Sequence, residues 1–163
     1  QSGKLLPKKD MVRLFISYQN VYVATVALGG NDSHTLKTFL EAEAFPGPSV
    51  VIAYSHCIAH GIAMNKGLEQ QKRAVEAGVW PLLRFNPANI PLEKNPLTID
   101  SSTPKIPFSE YARGEGRYRN LLNPGSGAEK EVYEKIQAQI SDRWKYLKNL
   151  ELFYRPIQKE SSK

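Results

Sequence analysis

The sequence predicts an α/β fold: a parallel sheet covered by helices, followed by a Pro-rich arm and a long C-terminal helix. Three observations carry this. The runs VYVATVAL (21–28), SVVIAY (49–54) and PLLRF (81–85) are apolar and largely β-branched or aromatic, so they read as strands. Helical patterns fall between them, giving the order strand, helix, strand, loop, helix, strand. The runs lack a polar alternation, which is the pattern of strands buried on both faces.

After the first strand, GGND at 29–32 offers Asn31 or Asp32 as N-cap for a helix through HTLKTFLEAEA. Leu36, Phe39 and Leu40 give that helix an apolar stripe, expected to face the core. FPGPS is a turn, with two prolines around a glycine. The second strand runs into the loop SHCIAHG. A helix through GLEQQKRAVEAG follows and stops near Gly78. Residues 86–108 hold five prolines, so they read as an extended arm with a short strand at LTIDS. Over 127–150, Val132, Ile136, Ile140, Trp144 and Leu147 recur at helical spacing among alternating charges. The polar tail beyond Pro156 is expected to be loose. The length of 163 residues suits one domain, divided into an α/β core (1–87), an extended arm (88–126) and a C-terminal helix with its tail (127–163).

Composition excludes several classes. No apolar run approaches the ~20 residues of a membrane span, and the start QSGKLLPKKD has no secretory apolar region. A single cysteine fits a reducing compartment and a cytoplasmic location. The net charge of +6 favours acidic partners. The basic runs KLLPKK and RGEGRYR lack the aromatic interleaving of a nucleic-acid module, so neither nucleic acid nor membrane is an expected partner. The absence of a leading Met suggests a piece of a longer polypeptide.

Cys57, the only cysteine, follows the second strand and is flanked by His56 and His60. In an open parallel sheet, ligands gather at the carboxyl ends of strands. Four readings are open. A lone buried cysteine is ordinarily a small core hydrophobe. A neighbouring histidine could activate it as a nucleophile. Cys57 and His60 have the spacing of half a zinc knuckle, but a structural zinc site needs four ligands, and His34 is remote in sequence. Finally, Cys57 could be one thiolate of a [4Fe–4S] cluster whose other ligands come from elsewhere.

Residues 20–87, NVYVATVALGGNDSHTLKTFLEAEAFPGPSVVIAYSHCIAHGIAMNKGLEQQKRAVEAGVWPLLRFNP, closely resemble the pyruvate:ferredoxin (flavodoxin) oxidoreductase family. So does NPLTIDSSTPKIPFSEYARGEGRYRNL at 95–121. The block YSHCIAHGI, followed by KGLEQQK and AVEAGVW, is highly specific. The resemblance implies the C-terminal part of a thiamine-pyrophosphate-binding domain. The implied reaction is oxidative decarboxylation of pyruvate to acetyl-CoA and CO2, with electrons passed through [4Fe–4S] clusters to ferredoxin or flavodoxin. It implies that Cys57 is a ligand of the cluster nearest thiamine. Gly61 would let the loop turn closely around it, and His56 and His60 would tune or shield it, if they are not simply hydrogen-bonded loop residues. Thiamine pyrophosphate and Mg2+ call for a Gly-Asp-Gly motif, which is absent here; GGND is not that motif. The implied partners are pyruvate, coenzyme A, the electron carrier, the rest of the same polypeptide and a second subunit in a homodimer. The segment alone is expected to be inactive and to carry no cofactor. The opposing reading is a non-catalytic basic module that docks acidic electron-carrier proteins.

Overall fold

A computed structural model describes residues 9–119 and 128–156 of the chain. The polar tail beyond Pro156 and most of KLLPKK lie outside them. The order is α1 (Met11–Ile16), β1 (Tyr22–Val26), α2 (Asp32–Ala44), β2 (Ser49–Ala53), α3 (Gly67–Glu76), β3 (Leu83–Phe85), β4 (Leu97–Ile99), α4 (Phe108–Arg113), α5 (Gly116–Arg119) and α6 (Ala128–Phe153). Two 3-10 turns, Ile58–His60 and Met64–Lys66, shape the loop between β2 and α3.

The strands form one sheet in the order β2-β1-β3-β4. The α/β class holds, but the sheet is mixed. Only β1 and β2 run parallel, while β3 opposes β1 and β4 opposes β3. A continuous apolar run reports burial, not direction. Direction is set here by α3, which leaves the carboxyl end of β2 and returns the chain, through Gly78 in the left-handed region and then Pro81, to that same end beside Thr25. It does not cross the sheet, so β3 starts where a parallel strand would finish.

One face of the sheet is a dry core. Val23, Leu83, Phe85 and Leu97 pack against Val12 and Ile16 of α1 and Leu147 of α6. A second cluster joins α3, α4 and α6 through Ala74, Ala77, Phe108, Tyr111, Ala112, Ile140 and Trp144. The expected stripe of α6 is therefore the buried one. Ile140, Trp144 and Leu147 are buried, while Val132 and Ile136 are half-buried.

The other face is held by charge. Arg84 of β3 donates to both carboxylate oxygens of Asp100, at 2.9 and 2.7 Å, and to Glu41 of α2 at 2.5 Å. His34 Nε2 lies 3.1 Å from Asp100. Burial disfavours the Asp100 carboxylate, but the bonds from His34 and Arg84 outweigh it and hold the carboxyl below its usual range. α2 thus rests on His34, Thr38 and Glu41. The stripe expected to face the core does not: Leu36, Phe39 and Leu40 are 64%, 51% and 58% exposed. Asn31, rather than Asp32, caps this helix, accepting from the His34 amide at 2.8 Å.

The stretch expected as an extended arm carries β4 but also α4 and α5. Phe108, Tyr111 and Ala112 bury into the second cluster against α3 and α6, which folds that stretch onto the domain. No helix among the described residues is long and apolar enough to cross a membrane.

Candidate functional site

The parallel pair β1 and β2 delivers two loops to one end of the sheet. Gly29 follows β1, and Ser55-His56-Cys57 follows β2. Gln71 of α3 ties them together. Its side-chain oxygen accepts from the Gly29 amide at 2.8 Å, and its side-chain nitrogen lies 3.0 Å from His56 Nδ1. With the Gln71 nitrogen donating, His56 Nδ1 accepts and its ring proton sits on Nε2. Gly67 makes room for that ring, since a Cβ there would fall 2.1 Å from His56 Nε2.

Cys57 is a free, half-buried thiol in extended backbone immediately before the 3-10 turn Ile58–His60. That turn ends on Gly61, whose φ of 71° is left-handed and favours glycine. The close neighbour that demands glycine is another glycine. A Cβ on Gly61 would lie 2.7 Å from Gly116 Cα, and the Gly116 amide donates to the Gly61 carbonyl at 3.2 Å.

This backbone contact is reinforced by side chains. Glu115 is fully buried yet ionisable. Tyr54, just past β2, donates to Glu115 Oε1 at 3.0 Å, and Tyr111 donates to the same oxygen. Arg117 Nε lies 2.6 Å from Glu115 Oε2, a charge contact rather than an aligned hydrogen bond. The same guanidinium donates to His60 Nδ1, so the His60 ring proton also sits on Nε2. Burial, above all, pushes the Tyr54 phenol up to about 12, with the Glu115 carboxylate adding to it and the Tyr111 hydroxyl opposing. Burial and then the bond to Glu115 raise the Tyr111 phenol as well. Both hydroxyls therefore act as donors at neutral pH.

Cys57, His56 and His60 thus share one clamped loop. Each histidine uses one ring nitrogen on a protein partner. His34 is elsewhere, under α2, which removes it from any site with Cys57 and His60. Among the described residues no group of three or more His, Cys, Asp or Glu side chains is placed to hold a metal ion. The loop presents one thiol, Cys57, and is held at both histidines. Gln71, Glu115 and Arg117 were not singled out from the sequence. The signals were present: a Gln-Gln pair in KGLEQQK, and an acid between two glycines in the basic run RGEGRYR.

No family model matches the chain. Full sequences of curated proteins do. The chain is 49% identical over 143 residues to a pyruvate-flavodoxin oxidoreductase of Nostoc sp., covering 88% of this chain and 12% of that protein. It is 40% identical over 148 residues to the pyruvate:ferredoxin oxidoreductase of Moorella thermoacetica, covering 91% of this chain and 13% of that protein. Similarity extends to a pyruvate dehydrogenase [NADP(+)] of Cryptosporidium parvum, at 37% identity over 92% of this chain and 8% of that protein. The chain spans about an eighth of the length of the first two relatives. This segment belongs to the pyruvate-flavodoxin and pyruvate:ferredoxin oxidoreductase family.

Proposed function

We propose that the polypeptide containing this segment oxidises pyruvate. In balanced form, pyruvate and coenzyme A give acetyl-CoA, CO2, one proton and two electrons, and the electrons leave to ferredoxin or flavodoxin. The observation that carries this reading is the 40–49% identity to pyruvate-flavodoxin and pyruvate:ferredoxin oxidoreductases across most of the chain. The full-length protein is a homodimer that holds thiamine pyrophosphate, Mg2+ and [4Fe–4S] clusters.

In this reading the segment is the C-terminal part of the thiamine-binding domain, and Cys57 is its contribution to a [4Fe–4S] cluster. A thiolate held half-buried at a strand end has the donor chemistry such a cluster takes. The cluster accepts and passes on single electrons when bound. The chain's own residues hold the ligand still: Gln71 fixes the loop on the His56 side, and Arg117 with Gly116 fixes it on the His60 side. Leu28, Ile58, Met64 and Leu68 of the loops after β1 and β2 and of the start of α3 are all exposed in this segment. The segment has no Gly-Asp-Gly motif and a single cysteine, so alone it neither binds thiamine pyrophosphate with Mg2+ nor oxidises pyruvate.

The test is Cys57→Ala in the full-length protein, read by iron content and low-temperature electron paramagnetic resonance. The expected result is loss of one cluster signal and of the matching iron, with electron transfer to the carrier abolished and pyruvate still bound. Full iron with every signal unchanged returns Cys57 to the role of a small core hydrophobe.

A further inference from the structure

We propose that the cavity beside Arg143, on the sheet face covered by α1 and α6, binds a small monocarboxylate with an apolar body. The cavity holds about 320 Å3 and is lined by Thr25 of β1 and Ile52 of β2, each one residue short of the carboxyl end of its strand. Ligands of parallel strands gather at that end. Arg143 comes from α6, Lys9 and Asp10 from just before α1, and Trp80 from the turn into β3. No wall belongs to the loop of Cys57, so the inference does not depend on the redox reading.

Arg143 is the reason to expect an anion. A guanidinium carries five N–H donors. Among the described residues the side chain of Arg143 makes one hydrogen bond, from Nη1 to the Val79 carbonyl at 3.3 Å. Its Nε is buried with no partner. Asp10 lines the same cavity, but its carboxylate pairs with Arg13, 3.3 Å from Nε, and accepts from the Arg13 amide at 3.2 Å. Burial lowers the pKa of Arg143, with Asp10 opposing that shift and Arg13 adding to it. A cation kept from water without a paired anion is costly. A carboxylate received on the guanidinium fork relieves that cost.

Charge and lining select the ligand. Lys9 and Arg143 against Asp10 leave one positive charge on the walls, which a monocarboxylate balances and a phosphate dianion exceeds. Thr25 and Trp80 have no donor to spare. The Thr25 hydroxyl donates to the Pro81 carbonyl at 2.7 Å and accepts from the Leu83 amide at 3.1 Å. The Trp80 indole N–H donates to the Val26 carbonyl at 3.1 Å, and Tyr54 meets its ring edge-on with centroids 5.4 Å apart. Trp80 is therefore a fixed apolar wall, and Ile52 is another. The volume lies at the lower end of small-ligand pockets, which suits a carboxylate on a short chain or a single ring.

The experiment titrates the full-length protein with 4-fluorobenzoate and follows the fluorine resonance. The expected result is saturable binding at roughly millimolar affinity, displaced by benzoate and not by the same concentration of inorganic phosphate. Arg143→Met weakens binding by about tenfold or more, as for loss of a bidentate charged contact, and Arg143→Lys recovers only part of it. Lys9 is exposed, so Lys9→Ala does not threaten folding, and it weakens binding by about threefold. Urea midpoints check each variant. If Arg143→Met is unfolded, Arg143→Lys and Lys9→Ala decide. Wild-type protein that binds no probe overturns the proposal; a carboxylate of the polypeptide itself filling the cavity gives that result. Binding left unchanged by all the folded variants overturns it too, since the probe then sits elsewhere. Displacement by phosphate as readily as by benzoate overturns the choice of a monocarboxylate.

Discussion

α6 and α2 are both amphipathic by sequence, yet one buries its apolar stripe and the other turns it outward. On α6, Ile140, Trp144 and Leu147 sink into clusters built from α1, α3, α4 and the sheet. On α2, Leu36, Phe39 and Leu40 face away, and a polar network of His34, Glu41, Arg84 and Asp100 holds the helix down. The periodicity of apolar residues locates a contact face. It does not say whether the partner belongs to the same stretch of chain. α6 completes its packing within the segment, whereas α2 is anchored by charge on one side and left open on the other.

The largest expected effects come from breaking what each helix rests on. Trp144→Ala empties a site at the meeting of α3, α4 and α6, and costs about 3–5 kcal/mol, measured as a fall in the urea midpoint. Arg84→Ala strands the Asp100 and Glu41 carboxylates beneath α2. The Arg84 side chain is only 12% exposed, so a cost of about 3 kcal/mol is expected, as for a buried pair stripped of one member. If Arg84→Ala left the midpoint unchanged while Trp144→Ala lowered it, the anchoring of α2 by charge would be wrong.

A smaller effect concerns the clamp on the Cys57 loop. Arg117→Ala leaves the fully buried Glu115 without its counter-charge. A third of the Arg117 side chain meets solvent, so the cost falls below that of a fully buried pair, to roughly 2 kcal/mol. The diagnostic readout is local: amide exchange speeds up at Ile58–Gly61 and Gly116 more than in β1. Arg117→Lys keeps the charge but loses the fork that spans Glu115 and His60, so it restores stability better than it restores loop protection.

The charge network also sets a pH dependence that the apolar face lacks. A carboxyl held below its unfolded value of about 3.9 stabilises the folded chain above that pH and loses the contribution as pH falls through its folded value. Asp100 is such a group. Stability therefore declines in acid below about pH 4, and Asp100→Asn removes part of that decline while lowering stability at neutral pH. Identical acid limbs in the two proteins, from urea midpoints measured as a function of pH, would refute the assignment.

Much of this was legible in the sequence because it depends on local pattern. β-branched runs marked β1 and β2, the pair Asn31-Asp32 marked the start of α2, and the spacing of Ile140, Trp144 and Leu147 marked the buried side of α6. Strand direction was not legible. β3 turns antiparallel because α3 returns the chain to the end it left, a consequence of packing against α4 and α6, which lie far ahead in sequence. The clamp on Cys57 was hidden for the same reason: Tyr54, Gln71, Glu115 and Arg117 converge from separate segments, and nothing local joins them. RGEGRYR was read only as a basic run, although Glu115 within it is fully buried.

The smallest expected effect is the sharpest test of the contrast between the helices. In the isolated segment Leu40 is 58% exposed, so Leu40→Ala removes little buried surface and changes stability by no more than about 0.5 kcal/mol. The helix propensities of Leu and Ala differ too little to change this. In the full-length protein the same substitution reports on whatever covers α2. If a helix packs there, the lost methyl groups are interior ones and the cost rises to about 2 kcal/mol or more, read as faster local exchange across α2. Ile140→Ala should behave oppositely, costing about 2 kcal/mol or more in both contexts, because its neighbours are all within the segment. The quantity to compare is the difference between contexts for each residue, which cancels the intrinsic effect of the substitution. A context difference for Leu40 and none for Ile140 would mean that α2 is completed from outside. Equal differences for both, or none for either, would mean that the two helices do not differ as their exposures indicate.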